Sequence, residues 1–128
     1  MEPFDYTLET AKTFDGAIEA VVAKCKDLNF SVLHVHDVQA TLAAKGFRRE
    51  PLKIIEVCNA KHAFDVLAKD VKISLMLPCP ISVYAAGGKT FISALRPRMM
   101  SAFYPQAGIE ATAEAVDTAI LAIVNAAR

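Results

Sequence analysis

The sequence has no tryptophan, only three cysteines in 128 residues, and no excess of charge of either sign. An odd, small number of cysteines does not form the disulfide framework of a secreted domain, so we expect a reducing cytoplasm as the location. Fourteen basic residues balance fourteen acidic ones. This balance argues against a dedicated nucleic-acid-binding protein, which normally carries a basic excess, and against a polybasic membrane-surface protein.

Long apolar runs are also absent. No run approaches the roughly 20 residues that a transmembrane helix needs, so we expect no membrane span. The first ten residues, MEPFDYTLET, carry acidic side chains and no apolar stretch, which is not the pattern of a secretory signal. The composition, 54% hydrophobic and 22% charged, is that of a globular protein with a core of its own. No linker interrupts it, so we predict one domain over residues 1–128.

Alternation of apolar and polar residues predicts strands in the first half of the chain at residues 4–9, 30–35 and 52–58. Helix N-caps are predicted at Thr13, Asp37 and Asn59. The helix after Thr13 carries an apolar stripe at helical spacing, which predicts its buried face. The members of this stripe are Ile18, Val21, Val22, Cys25 and Leu28.

The second half of the chain does not strictly alternate strands with helices. Strands are predicted at residues 71–77, 81–84 and 90–95, with a hairpin turn at Gly87-Gly88. Pro78 and Pro80 each lack a backbone donor, which predicts an edge or a bend there. Residues 96–108 are predicted as an irregular stretch, and residues from 109 onward as a helix. This order favours an α+β domain with a mixed or antiparallel sheet and helices packed on it.

Three segments carry a family resemblance: IIEVCN at residues 54–59, AFDVLAKD at 63–70 and LPCPISVY at 77–84. Together they resemble the bacterial and archaeal "domain of unknown function 302" family, in which a strand ending in E-x-C-N-P precedes a short helix, and an L-P-C segment leads into a V-Y-E strand. Ala60 and Ala85 stand where the family usually has Pro and often has Glu. The resemblance implies a compact α+β domain and a homodimer, and it assigns no activity and no cofactor.

Cys58 and Cys79 are the candidate reactive residues. Cys58 ends a strand immediately before a capped helix, and a helix N-terminus lowers the pKa of a thiol. Cys79 lies between two prolines, and it is the candidate partner of Cys58. His62, four residues after Cys58, either faces solvent or assists its deprotonation. The alternative for both cysteines is plain core packing, because free cysteine is among the most buried residue types. Cys25, on the first helix stripe, is predicted to pack in the core.

Two histidines are the candidate metal ligands. His34 and His36 share one face of the second strand, because strand side chains alternate. Such a pair binds zinc or copper when a third ligand such as Cys58 or Glu56 joins it. The alternative is two half-exposed histidines without a metal, since no third ligand lies close in the sequence.

Four further residues are candidate ligand-binding groups: Glu56, Asn59, Lys89 and Arg96. Lys89 and Arg96 lie near the hairpin and the stretch after it, where they could hold an anion; the alternative is a solvated rim. Within that stretch Met99, Met100, Phe103 and Tyr104 form an apolar segment, and adaptable methionine-rich segments suit partner contacts. We expect this segment to cover a dimer interface or the mouth of a pocket.

No set of general acid, base and oxyanion-binding groups can be named, so our first interpretation is a non-enzymatic domain. It would bind a small molecule or a metal in a cleft near Cys58 and Cys79. The first alternative is a thiol-based redox or sulfur-transfer protein that uses Cys58, with Cys79 as the resolving thiol. The second alternative is an assembly or regulatory partner protein. The identity of a ligand or cofactor does not follow from the sequence.

Overall fold

The structure is a computed structural model that describes residues 3–128. Five strands, five α-helices and one 3₁₀ helix follow one another along this part of the chain. In chain order they are β1 (Asp5–Thr10), α1 (Phe14–Asp27), β2 (Ser31–Asp37), α2 (Val38–Ala43), β3 (Leu52–Cys58), α3 (Ala60–Lys69), the 3₁₀ helix (Val71–Met76), β4 (Cys79–Ala86), β5 (Lys89–Leu95), α4 (Met99–Phe103) and α5 (Glu110–Ala127).

The strands form one sheet in the order β1-β5-β4-β3-β2, and every neighbouring pair is antiparallel. The predicted α+β class is therefore confirmed, with the antiparallel form of the sheet. The hairpin between β4 and β5 turns at Gly87 and Gly88, whose φ angles are 59° and 79°. Positive φ at both central residues is what a two-residue hairpin turn requires, and glycine adopts it without steric strain.

The main core lies between one face of the sheet and the helices α1 and α5. Ile55 and Val57 of β3 and Ile81 and Val83 of β4 are fully buried on this face. From α1 the core receives Ala17, Val21 and Cys25. Val22 and Leu28, predicted for the same stripe, are 36% and 39% exposed. The prediction is thus confirmed for Val21 and Cys25, which are buried. It included Val22 and Leu28 as well, and these two residues lie at the partly exposed border of the face.

The predicted strand at residues 71–77 is wrong. Residues Val71–Met76 form a 3₁₀ helix, which begins where the Asp70 side chain accepts a hydrogen bond from the Lys72 amide at 2.9 Å. Only Ile73 of this segment is fully buried, whereas Leu75 is 82% exposed. The apolar residues at alternate positions therefore do not share one buried face, and the cap allows the chain to turn instead of extend.

The predicted position of the two prolines needs a correction as well. Pro80 lies in β4, which is the central strand of the sheet. It is aligned with Glu56 of β3, and the alignment of β4 with β5 begins only at Ile81. Pro80 is thus tolerated because it occupies the start of the strand, before β4 is paired on both sides. The Leu77-Pro78 peptide bond is cis.

The stretch at residues 96–108 is not wholly irregular, because it contains the helix α4. Met100 of α4 is 2% exposed, whereas Phe103 is 57% exposed. Met100 packs in a second, smaller core with Val66, Ile73 and Ala113.

Within residues 3–128, no helix combines the length and the apolar character needed to cross a membrane.

Candidate functional site

Cys58, Cys79 and His62 line one crevice at the end of the sheet where β3 finishes and β4 begins. The space within it is small, about 10 Å³, which is the room that about one water molecule needs. Besides these three residues, its lining is almost entirely apolar and consists of Phe30, Asn59, Ala63, Val66, Leu77, Met100 and Val116. The structure therefore brings together all three residues predicted as the reactive group.

The start of α3 positions the side of the crevice that contains Cys58 and His62. Asn59 caps α3, and its Oδ1 atom accepts a hydrogen bond from the His62 amide at 3.1 Å. Its Nδ2 atom donates to the carbonyl oxygen of Asn29 at 3.2 Å, which links the start of α3 to the turn before β2. Asn29 itself has a positive φ of 63°, a conformation that asparagine adopts more readily than most residues and that often ends a helix. Asn59 thus holds Cys58 and His62 at the helix start, which is a structural role.

The two thiols differ in burial. Cys79, aligned with Val57 across the β3–β4 pair, is 5% exposed, and Cys58 at the end of β3 is half-buried. Burial raises the pKa of Cys79 to about 12, and the nearby Cys58 thiolate adds to this shift. Both thiols line the same crevice, so a ligand bound there has access to both.

The pKa of the Cys58 thiol is also raised above its ordinary value of 9.0, by burial. This direction is opposite to the lowered pKa expected from a helix N-terminus, because removal of the thiolate from water outweighs the helix effect. Cys25 is fully buried within the main core, and burial raises its pKa to about 11. The prediction that Cys25 packs in the core is confirmed.

Sequence reasoning missed Met100 as a residue of the crevice. Its thioether is buried, and α4 carries it to the same cavity as Cys58 and Cys79. The only sequence signal was the apolar segment at residues 99–104, which we expected to cover either a dimer interface or the mouth of a pocket. Met100 contributes to the pocket.

His34 and His36 lie elsewhere, on the edge strand β2, with their ring centroids 4.3 Å apart. The Nε2 atom of His36 is 3.0 Å from the Oε1 atom of Glu56, so the structure brings Glu56 to the histidines, as the metal hypothesis required. Cys58 is aligned with Ser31 at the far end of β2. Nevertheless, no group of three or more His, Cys, Asp or Glu residues within 3–128 is arranged to hold a metal ion.

Lys89 and Arg96 do not line the crevice. Lys89 begins β5 beside the hairpin, at the opposite end of the sheet, and its Nζ atom is 3.7 Å from Oε1 of Glu9. Arg96 binds the buried carboxylate of Asp117 with two nitrogen atoms, at 3.2 Å and 2.8 Å. Asp117 also accepts a hydrogen bond from the Arg98 amide at 3.2 Å. Arg96 therefore connects the end of β5 to α5, a role that the sequence did not predict.

Comparison with known proteins places these observations in a family. The model of a family described as "Domain of unknown function DUF302" matches residues 6–127. A crystal structure of an uncharacterized conserved DUF302 protein from Bacillus stearothermophilus superimposes with a TM-score of 0.93 at 27% sequence identity, covering 99% of this chain and 100% of that one. No protein of curated function matches the chain. The family match spans the sheet, its helices and both cysteine motifs, and the chain belongs to the DUF302 family.

Proposed function

We propose that the protein is a non-enzymatic binding domain whose site is the crevice between Cys58 and Cys79. The observation that supports this proposal is that both thiols and His62 line one cavity. The two cysteines are separated by twenty residues of sequence, which include a whole helix and a 3₁₀ helix. Their convergence brings two soft sulfur donors to one place, and two donors can hold a ligand that neither would hold alone.

The size of the crevice restricts the class of ligand. About 10 Å³ of free space admits a single atom or ion and not an organic molecule of ordinary size. Phe30, Val66 and Val116 surround that space with apolar groups, which disfavours a hydrated, hard cation. The arrangement therefore favours one thiophilic ion bound by sulfur.

The same geometry argues against catalysis as the first choice. Apart from the two thiols, His62 is the one titratable side chain among the described residues that line the crevice. The pKa of both thiols is raised by burial, so little thiolate is present at neutral pH. A nucleophile that is rarely ionised is a poor one, whereas an incoming metal ion displaces the thiol protons as it binds.

A titration with Ag(I), a thiophilic probe ion, tests the proposal. In the presence of a competing thiol chelator, we expect the protein to retain one ion per chain. Cys58→Ser and Cys79→Ser should each lose this retention. Cys25→Ala is the matched control, because Cys25 is buried away from the crevice, and it should bind as the unmodified protein does. Equal retention by all four proteins would contradict the proposal.

The second candidate function is thiol–disulfide exchange, favoured by the position of Cys58 and Cys79 in the lining of one crevice. The Cys58 thiolate would attack a small disulfide and release one thiol, and the Cys79 thiolate would then attack Cys58 Sγ and release the second. The protein is oxidised by two electrons and the small disulfide is reduced to two thiols. With oxidised glutathione at neutral pH, Cys79→Ser would accumulate a mixed disulfide at Cys58. Rapid accumulation, detected by mass spectrometry, would rank this function first; we expect slow reaction.

A homodimer and a cytoplasmic location belong to the same proposal. The dimer is supported by exposed apolar side chains that gather at one surface: Phe4, Leu75 and Phe103 border a shared hollow and are exposed by 53%, 82% and 57%. Apolar surface of this kind marks protein–protein contacts. The location is supported by the three unpaired cysteines.

A further inference from the structure

We infer that the crevice is a three-sulfur site for Cu(I), in which the thioether of Met100 joins the thiolates of Cys58 and Cys79. This inference rests on the proposed function and names its ligand. The observation behind it is that Met100 lines the same crevice as the two cysteines and is 2% exposed. Three sulfur-containing residues from three different elements, β3, β4 and α4, therefore line one cavity.

The short helix α4 is held firmly enough to present Met100. The Met100 amide donates to the Pro97 carbonyl at 3.0 Å, and the Ser101 hydroxyl donates to the Arg98 carbonyl at 2.8 Å. At the start of α4 the Arg98 amide donates to Asp117 of α5 at 3.2 Å. Asp117 is 3% exposed and also binds Arg96. The thioether thus projects from a helix that a buried carboxylate anchors to α5.

The donor set selects the metal. Thiolate and thioether sulfurs are soft ligands, which favour Cu(I). A structural zinc site needs four ligands from cysteine, histidine or a carboxylate, and residues 3–128 contain no cluster of even three such groups arranged for a metal. Cu(I), in contrast, forms stable complexes with two or three sulfur ligands. The inferred Cu(I) site therefore uses the three sulfur ligands, and His62 lines the same crevice.

The apolar walls reinforce this selection. Phe30, Leu77 and Val116 leave no room for the added water ligands that Zn(II) or Cu(II) would need to complete its coordination around only three protein donors. Binding involves no change of oxidation state: the ion displaces two thiol protons, which leave to solvent, and forms two copper–thiolate bonds and one copper–thioether bond. The resulting complex carries one negative charge.

The test is anaerobic competition for Cu(I) between the protein and a chromogenic Cu(I) chelator, together with X-ray absorption of the loaded protein. Loss of an outer-shell partner alone weakens metal binding about 10- to 100-fold, so we expect Met100→Leu to weaken Cu(I) binding by about tenfold or more. In this variant the X-ray absorption spectrum should show two sulfur neighbours around copper instead of three. Met99→Leu is the matched control, because Met99 is in the same helix and does not line the crevice.

Leucine conserves the volume of methionine closely, so Met100→Leu is expected to fold, and its thermal unfolding checks this. A Met100→Leu protein that keeps the affinity and the three-sulfur shell of the unmodified protein would overturn the inference and leave the proposed function in place. If instead the unmodified protein yields all its Cu(I) to the chelator and does not retain Ag(I) either, the inference and the proposed function are both wrong. Retention of Ag(I) with loss of Cu(I) would overturn this inference only.

Discussion

At the residue scale, burial controls the chemistry of the three cysteines more strongly than their position in the sequence does. Cys58 stands before a capped helix, where the sequence predicts a lowered pKa, and burial raises it instead. The sequence contains the helix and its cap but not the depth at which the thiol lies, because depth depends on Phe30, Val66 and other residues far along the chain. Candidate thiols could be predicted, and their ionisation could not.

The raised pKa of Cys79 makes a prediction about stability at alkaline pH. In the unfolded chain this thiol ionises near 9.0, and in the folded protein near 12. Above pH 9.0 the unfolded state therefore binds fewer protons than the folded state, so the free energy of unfolding falls as the pH rises. The contribution of Cys79 is fully present below pH 9.0 and is lost as the pH approaches 12.

Denaturant unfolding measured at several alkaline pH values checks this. Relative to the unmodified protein, Cys79→Ala should lose stability less steeply, by about 1.4 kcal/mol for each pH unit between the two pKa values. Its stability at neutral pH will differ for packing reasons, so the comparison is of slopes and not of absolute values. Parallel pH profiles for the two proteins would show that Cys79 stays protonated to the same extent in both states.

At the scale of elements, the N-cap residues of three helices were reliably predicted from the sequence. Thr13, Asp37 and Asn59 each cap a helix with a side-chain hydrogen bond, as predicted. Such signals work because a cap and the amide it binds lie within a few residues of each other. The strand predicted at residues 71–77 was wrong because alternate apolar residues are compatible with a strand and with a 3₁₀ helix. The Asp70 cap stabilises the 3₁₀ helix Val71–Met76.

The connection between β5, α4 and α5 could not be predicted, because it depends on a contact between residues that are distant in sequence. Asp117 binds Arg96 across 21 positions and is 3% exposed. We expect Asp117→Asn to destabilise the protein by about 3–5 kcal/mol, since it removes the charge of a buried carboxylate that accepts hydrogen bonds from the Arg96 guanidinium and the Arg98 amide. Thermal or denaturant unfolding measures this change.

Glu114→Gln is the control for that substitution. Glu114 forms the neighbouring ion pair, 3.0 Å from Arg98, but its side chain is 53% exposed, so we expect a change of about 0–1 kcal/mol. If the two substitutions have equal effects, the buried ion pair is not the connection that holds α4 against α5. A large effect of Asp117→Asn alone would also predict weaker Cu(I) binding, because Met100 is presented by α4.

At the scale of the whole molecule, the order of elements was enough to predict the α+β class, and the structure confirms it. The strand order was not predictable, since the central position of β4 follows from pairing on both sides and not from its own residues. Its prolines even suggested an edge or a bend. The crevice belongs to this scale too, because it exists only where β3, β4, α3, α4 and α5 meet.

The proposed homodimer is tested at the same scale. Phe4 and Phe103 meet edge to face, with ring centroids 6.4 Å apart, beside the exposed Leu75. We expect the double substitution Phe4→Ser/Phe103→Ser to lower the dimer fraction in sedimentation equilibrium, because it removes apolar area from the shared hollow. Phe64→Ser is the control, since Phe64 is 72% exposed but lies outside the hollow. A monomer mass for the unmodified protein would contradict the dimer itself.

The central claim is that Cys58 and Cys79 bind one thiophilic ion together, and anomalous diffraction from crystals grown with Ag(I) tests it most directly. We expect one strong anomalous peak per chain, in the crevice and within bonding distance of both Sγ atoms. The main-core thiol of Cys25 should show no peak, since it is fully buried elsewhere. An empty crevice, or silver bound to surface groups alone, would contradict the claim and return the two cysteines to the role of core packing.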